Sequence, residues 1–229
     1  VICNHSTGTG GLCGTNEGNV DYSISAVNFS NSGYGGGLCG YNRGGIISNC
    51  CATGNIEGYY SSQYLGGLCG WNRIGLIAQC FSTGNVKNGF RLGGLCGRND
   101  DTIINCYSTG NVSGGGFQGG LCGDNYGTIS ACYSSSSVTN RYRSDYFGGL
   151  IGIDRHEGIF LQDCFWNIDV NIDLNSNDCT GVGGMLDPNE VVGLTTTEMM
   201  MLGTFVGAGW DFTEGDGDGA EWKIVREGE

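Results

Sequence analysis

Apolar residues recur along this chain at a long, regular interval rather than at helical spacing. A leucine within a Gly-Gly-Leu phrase returns every 26 to 30 residues, and self-similarity at such a period is typical of stacked structural repeats. The six leucines are Leu12, Leu38, Leu68, Leu95, Leu121 and Leu150. Between them, short β-branched and aromatic segments are bounded by Gly and Asn, as strands are, and helical periodicity is absent.

Each repeat reads G-G-L-C-G-x-N-x-G, then I-x-x-C-[YF]-S-T-G-N-V, then a variable connector rich in Gly, Ser and Tyr. Two or three short strands with glycine corners make one coil of a solenoid, and stacked coils place equivalent residues about 4.8 Å apart. The sequence therefore predicts an all-β fold, a parallel β-solenoid (β-helix) of about six coils with a small mixed cap. The predicted domains are residues 1–160 for the repeats and residues 161–229 for the cap.

Equivalent positions of the repeats should form ladders inside the solenoid. Besides the leucines, two apolar ladders are predicted at Ile47, Ile77, Ile103 and Ile129, and at Ile56, Val86, Val112 and Val138. A polar ladder is predicted at the first corner, where asparagine tolerates left-handed backbone and its amide can bond the amide of the next coil. Its members are Asn16, Asn42, Asn72, Asn99 and Asn125.

The segment after the repeats carries two patterns of its own. Thr195 followed by Glu198 is the pattern of a capping box, and it predicts one short helix that closes the end of the solenoid. In DVNIDLNSND, residues 169–178, polar and apolar residues alternate, which favours a half-buried strand.

The phrases G-G-L-C-G-x-N and C-Y-S-T-G-N-V resemble the GLUG motif repeats of bacterial secreted and surface proteins, in which the cysteine positions are more often Val and Ser. The resemblance covers residues 1–160, and the tail is similar to a segment that often follows such repeats in large extracellular bacterial proteins. It implies a secreted or surface-displayed structural or adhesive role, and it supplies no catalytic residue.

Thirteen cysteines at regular spacing indicate an oxidising compartment, hence an extracellular or cell-surface location. Zinc or cluster ligation is disfavoured, since the chain has no C-x-x-C pair and two histidines. Cysteines of one coil should lie nearly level across a corner. The predicted disulfides are therefore Cys39–Cys50, Cys69–Cys80, Cys96–Cys106 and Cys122–Cys132, with Cys3–Cys13 and Cys164–Cys179 at the ends and Cys51 left over.

The net charge of −13 resides in the tail, because residues 161–229 carry fourteen acidic and two basic residues. Neither part offers the basic stripe that nucleic acid requires, and the apolar run at 199–210 is too short for membrane insertion. A weak Ca²⁺ site is the alternative to the strand at 169–178, and no other cofactor is predicted. Its candidate ligands are Asp169, Asp173, Asp216 and Asp218.

The repeats show no cluster of Lys or Arg beside Asp and no nucleophile–base arrangement around a histidine, so the sequence predicts a protein that is not an enzyme. Sequons at Asn4, Asn28 and Asn111 are candidate glycosylation sites.

Two function hypotheses remain. The leading hypothesis is a structural or adhesive surface protein that associates with itself in a head-to-tail filament, or with other surface proteins. The alternative is a carbohydrate-binding or carbohydrate-cleaving β-helix, with glycans as partners and with Tyr59, Tyr60, Tyr64 and Trp71 as sugar platforms. Clustering of these aromatic residues on one open face would favour the alternative.

Overall fold

The computed structural model describes residues 8–31, 33–59, 61–140, 146–155, 161–171, 180–183, 191–208, 210, 212–213 and 222–223. Its main strands pair only in parallel, each with the equivalent strand of the next repeat. The predicted all-β, parallel β-solenoid of about six coils is confirmed.

Each coil visits five sheets, numbered here in the order of the chain. Sheet 1 contains Gly8–Gly10, Tyr34–Gly36, Tyr64–Gly66, Arg91–Gly93, Phe117–Gly119 and Phe147–Gly148. Sheet 2 contains Cys13–Asn16, Cys39–Arg43, Cys69–Arg73, Cys96–Asn99, Cys122–Asn125 and Ile151–Asp154. Sheet 3 contains Asn19–Asp21, Ile46–Ser48, Leu76–Ala78, Thr102–Ile104, Thr128–Ser130 and Leu161–Gln162.

The remaining two sheets complete the coil. Sheet 4 contains Ile24–Ser25, Cys51–Ala52, Phe81–Ser82, Tyr107–Ser108, Tyr133–Ser134, Cys164–Asn167 and Val191–Leu194. Sheet 5 contains Phe29–Asn31, Ile56–Gly58, Val86–Lys87, Val112–Gly114 and Val138–Asn140. The strands are two to five residues long, so a coil holds more and shorter strands than the two or three predicted.

The interior divides into two apolar clusters. The larger cluster contains the ladder leucines from Leu38 to Leu150 and the Ile47 ladder, and the smaller one contains the Ile56 ladder with Leu65 and Leu92. All three predicted apolar ladders are buried, with one exception at the first leucine. Leu12 is 43% exposed because no described coil stacks on its outer side.

The predicted asparagine ladder is present and fully buried. Each Nδ2 donates to the Oδ1 of the next coil, at 2.9 Å from Asn16 to Asn42, 2.8 Å from Asn42 to Asn72 and 2.9 Å onward to Asn99 and Asn125. The last amide donates to the carboxylate of Asp154 at 2.9 Å. None of these asparagines has the expected left-handed backbone, which occurs two residues later at Gly44 and Ile74. At the next corner it occurs at Tyr22, Asn49, Gln79, Asn105, Ala131 and Asp163.

The C-terminal end continues the sheets past residue 160, the predicted boundary, through Cys164–Asn167 and Val191–Leu194 of sheet 4. The capping box is confirmed, with Thr195 Oγ1 accepting from the Glu198 nitrogen at 3.2 Å, and it opens a helix at Thr196–Met199. A second helix, Leu202–Gly207, was not predicted. Its Phe205 and the following Trp210 pack on Tyr133 and Phe165 of sheet 4.

The remaining short elements are a 3₁₀ helix at Asp169–Asn171, where a strand was predicted, and a parallel pair of strands, Phe212–Thr213 with Trp222–Lys223. No helix in the described part of the chain has the length and apolarity needed to cross a membrane.

Candidate binding surface

The cysteines form two ladders inside the solenoid rather than pairs within coils. The first ladder, Cys13, Cys39, Cys69, Cys96 and Cys122, pairs in register between adjacent coils. The second ladder is Cys50, Cys80, Cys106, Cys132 and Cys164. All ten, and Cys51, are buried free thiols. The predicted disulfides Cys39–Cys50, Cys69–Cys80, Cys96–Cys106 and Cys122–Cys132 are therefore not formed in the structure, and Cys3 and Cys179 lie outside the described residues.

A whole strand separates the two cysteines of a coil, whereas the prediction placed them across one corner. In the third coil, Cys69 begins a strand of sheet 2, and Cys80 follows the strand Leu76–Ala78 of sheet 3. The Cys80 thiol donates to the Ala78 carbonyl oxygen at 3.1 Å, and its sulfur accepts from the Cys50 backbone nitrogen at 3.4 Å. The second-ladder sulfurs are thus engaged by the backbone of their own and neighbouring coils.

We expect the ladder thiols to resist alkylation in the folded protein. Burial raises the pKa of Cys164 to about 12 and that of Cys69 and Cys106 well above the ordinary value, so the reactive thiolate is scarce at neutral pH. Mass spectrometry after iodoacetamide treatment should find the ten ladder thiols unmodified in native protein and modified after denaturation without a reductant. Peptides that join Cys39 to Cys50 would contradict this expectation and restore the same-coil pairing.

The other predicted site residues do not come together in the described residues. Asp169 Oδ2 accepts from the backbone nitrogen of Thr196 at 2.8 Å, so this carboxylate contacts the first helix of the cap. Asp173, Asp216 and Asp218 lie outside the described residues, among which no group of three metal-ligating side chains occurs. Of the sequons, Asn28 and Asn111 are exposed, and Asn4 lies outside the described residues.

A cluster of aromatic and arginine side chains gathers where sheets 1 and 2 meet. We call it the aromatic–arginine face, and it comprises Tyr34, Tyr41, Tyr64, Trp71, Arg73, Arg91, Arg98 and Arg155. Tyr64 precedes the buried Leu65 on its strand, so its ring lies on the outer side of sheet 1. The side chains of the aromatic–arginine face are partly buried or exposed, apart from that of Tyr41, which is buried.

The aromatic rings of this face stack along the solenoid axis. Tyr34 lies on Tyr64, and Tyr41 lies on Trp71, with ring centroids 4.9 Å apart in both pairs. Trp71 also meets Tyr34 edge-on at 5.2 Å. Such contacts between equivalent positions of successive coils stabilise the stack, and they hold the rings in fixed orientations.

The arginines cover these rings and two acidic side chains. Arg98 lies 4.3 Å from the ring centroid of Tyr126 and 5.3 Å from that of Trp71, and its Nε donates to Asp100 at 2.6 Å. The carboxylate of Asp124 has no exposed surface, and it is held by Arg91 Nε at 2.6 Å and by Arg155 Nε at 3.2 Å. Because the carboxylate is paired on both oxygens, its burial is compensated.

Beside this face lies an open groove of about 720 Å³, at the connectors that lead from sheet 5 to sheet 1. Tyr59 and Phe90 are its exposed aromatic walls, at 58% and 42% exposure. Glu57 and Asn88 contribute polar groups, with Asn88 Nδ2 donating to Glu57 Oε1 at 3.1 Å. We call it the connector groove. Ser30 and four glycines, Gly58, Gly89, Gly115 and Gly116, line the rest of it, so backbone is accessible to a ligand.

The groove and the face share a boundary at Phe90 and Arg91. The Arg91 guanidinium lies 5.0 Å from the Phe90 ring centroid and equally far from that of Tyr64. Of the predicted sugar platforms, Tyr59 therefore belongs to the groove, Tyr64 and Trp71 belong to the face, and Tyr60 lies outside the described residues.

The expectation that no cationic cluster lies beside an aspartate was wrong. Arg91, Arg98 and Arg155 are far apart in the sequence, but coil stacking brings them to Asp100 and Asp124. The signal was present in the repeat alignment, because the register pairs Trp71 with Arg98 and Arg98 with Asp124. Comparing the repeats column by column at their variable positions would have found it.

In a comparison with known families, residues 88–113 match the GLUG motif. These residues run from the connector groove through sheets 1 to 4 to the sheet 5 strand Val112–Gly114 and thus span one complete coil. No curated protein and no solved structure matches the chain.

Proposed function

We propose that this GLUG-motif solenoid is an extracellular adhesive module that binds carbohydrate in the connector groove. One observation carries the proposal, namely the pair of exposed rings, Tyr59 and Phe90, that flank an open groove. Sugar rings present apolar C–H faces and polar edges, so they suit aromatic walls with carboxylate and amide groups between them. Glu57 and Asn88 stand at this position.

Binding is favoured over cleavage because of the groove's acidic content. Glycoside hydrolysis ordinarily uses two carboxyl groups on either side of the scissile bond. Glu57 is the single carboxylate among the described residues that line the groove. Rigid coils with fixed ladders on the inside then serve as the scaffold that presents the groove, as an adhesive module requires.

Removing either aromatic wall should weaken sugar binding. We expect Tyr59→Ala and Phe90→Ala each to reduce affinity at least about tenfold, since a ring that covers a sugar contributes about 1.5 to 3 kcal/mol through burial. Affinity gel electrophoresis of the full chain against a panel of soluble polysaccharides measures this effect. Tyr22→Ala is the matched control, because Tyr22 is 80% exposed and lies outside the groove.

The proposal fails if no polysaccharide in the panel retards the wild-type chain, or if Tyr22→Ala reduces retardation as much as Tyr59→Ala does. Melting temperatures of the three variants are measured alongside, so that loss of binding is separated from loss of fold.

A further inference from the structure

The aromatic–arginine face concentrates positive charge in a chain whose net charge is −13. Four of its ten Lys and Arg residues lie here: Arg73, Arg91, Arg98 and Arg155. In the part of the chain that the structure describes, the carboxylates that contact them are Asp100 and Asp124. The local excess is therefore two positive charges, beside a groove whose single described carboxylate is Glu57.

The internal ion pairs use only part of each guanidinium group. Arg91, Arg98 and Arg155 each reach their aspartate through Nε. Of the two further nitrogens, Nη1 of Arg91 also donates to Gln63 Oε1 and Nη1 of Arg98 to Tyr64 Oη, each at 3.4 Å. The remaining N–H groups of the two Nη atoms can donate to a planar carboxylate. Arg155 and Arg73 also keep their side chains exposed to solvent.

The rings fix these guanidinium groups in place before any ligand arrives. Arg98 is held over Tyr126 and Trp71, and Arg155 lies 5.1 Å from the Phe117 centroid. Stacking on a ring leaves the edge of the planar group available for hydrogen bonds. A ligand anion therefore meets donors whose orientation costs little further entropy.

The spacing of the arginines follows the coil repeat. Arg98 lies in register with Trp71 of the coil before and with Asp124 of the coil after, and Arg155 follows the next strand of the same sheet. Adjacent coils are about 4.8 Å apart, so Arg98 and Arg155 are separated by roughly 10 Å along the axis. Anionic groups recur at such intervals along a polymer of charged units.

We propose that the carbohydrate is an acidic polysaccharide with carboxylate groups, whose sugar rings occupy the connector groove and whose carboxylates bind Arg98 and Arg155. This inference rests on the proposed function and names the ligand class of the same site. Arg91, the member of the face that contacts Phe90 of the groove, connects the two parts. Single-stranded nucleic acid also combines stacking with cationic contacts, but a surplus of two charges releases few counterions.

The test compares polygalacturonate with its methyl ester, which has the same backbone without the charge. Isothermal titration calorimetry of the full wild-type chain should give at least about tenfold tighter binding to polygalacturonate, weakened as salt concentration rises. Arg98→Gln and Arg155→Gln should each lower that affinity at least about fivefold and leave binding of the ester unchanged. Arg43→Gln removes the same charge from an exposed pair with Glu17 and should change neither.

Melting temperatures separate binding from folding, and Arg155→Gln is the safer variant because Arg91 still neutralises Asp124. Equal affinity for the two polymers would overturn the acidic-ligand inference and leave carbohydrate binding intact. Absence of binding to both, and to the neutral panel, would overturn the proposed function with it. Tighter binding of a single-stranded oligonucleotide than of polygalacturonate would also overturn the inference.

Discussion

Asn72→Asp should lower the free energy of unfolding by roughly 3 to 5 kcal/mol at neutral pH, the range for an uncompensated buried charge. Asn72 has no exposed surface, and its Nδ2 donates to the Gly75 carbonyl at 2.8 Å and to Asn99 Oδ1 at 2.9 Å. A carboxylate at this position would face two acceptors without a proton to offer. Thermal unfolding followed by circular dichroism should show a midpoint roughly 10 °C lower.

The direction of the amide chain explains why the neighbours cannot adapt. Every amide in the ladder donates toward the C-terminal end, where Asp154 accepts from Asn125. Turning the Asn99 amide to meet the new carboxylate would remove its bond to Asn125 Oδ1, so the defect would move along the ladder instead of disappearing. A polar network of this kind is costly when one member is unsatisfied.

The defect should also depend on pH. Burial among carbonyl oxygens raises the pKa of the introduced carboxyl above its unfolded value of about 4. The loss of stability relative to wild type is therefore smallest in acid, and it grows as pH rises from about 4 through the raised pKa. The two melting curves should approach each other at low pH.

Asn55→Asp is the matched control, because Asn55 lies in a second, exposed row of asparagines. Its Oδ1 accepts from the backbone nitrogen and the Nδ2 of Asn85, both at 2.9 Å, and a carboxylate keeps both bonds. We expect a change within about 0.5 kcal/mol. If Asn72→Asp and Asn55→Asp unfold with the same thermal midpoint, the buried asparagine ladder does not contribute the stability that we infer for it.

The repeat made the fold predictable. Since equivalent residues of successive coils must lie in register, the period alone placed the leucine, isoleucine and asparagine ladders, and each of these was confirmed. Local rules also sufficed for the helix at Thr196–Met199, where Thr195 and Glu198 complete the capping box within four residues. The ladders follow from the stacking of equivalent residues along the solenoid axis, and the capping box follows from residues that are close in sequence.

Contacts between different strands of one coil were harder to predict from the sequence. The pairing of Cys69 with Cys80 required the position of sheet 3, which glycine corners alone do not reveal, and the prediction counted too few strands per coil. The face was missed for a related reason. Tyr64 and Trp71 contact each other because sheets 1 and 2 are neighbours in space, and the repeat period carries no information about that angle.

Gly93 is the first glycine of a Gly-Gly-Leu-Cys phrase, and its substitution gives the second large expected effect. We expect Gly93→Ala to prevent the middle coils from closing. A Cβ at position 93 would lie 1.9 Å from the carbonyl oxygen of Cys96 and 2.7 Å from that of Leu121 in the next coil. Both atoms belong to backbone that pairs with neighbouring coils, so neither can move alone. Interiors this close-packed transmit such a clash rather than absorb it.

We expect Gly93→Ala to lose more than about 4 kcal/mol of stability or to fail to fold. A loss of this size is typical of severe overpacking. Gly18→Ala is the control of the same chemistry, since a Cβ there meets nothing within 4 Å. Its midpoint should match the wild type or exceed it slightly, because alanine reduces the entropy of the unfolded chain. Equal midpoints for the two variants would mean that the turn before Leu95 has room for a side chain. In that case, close backbone approach would not explain why glycine recurs at the equivalent positions Gly36, Gly66 and Gly119, where an added Cβ would lie 1.9 to 2.0 Å from the cysteine carbonyl oxygen.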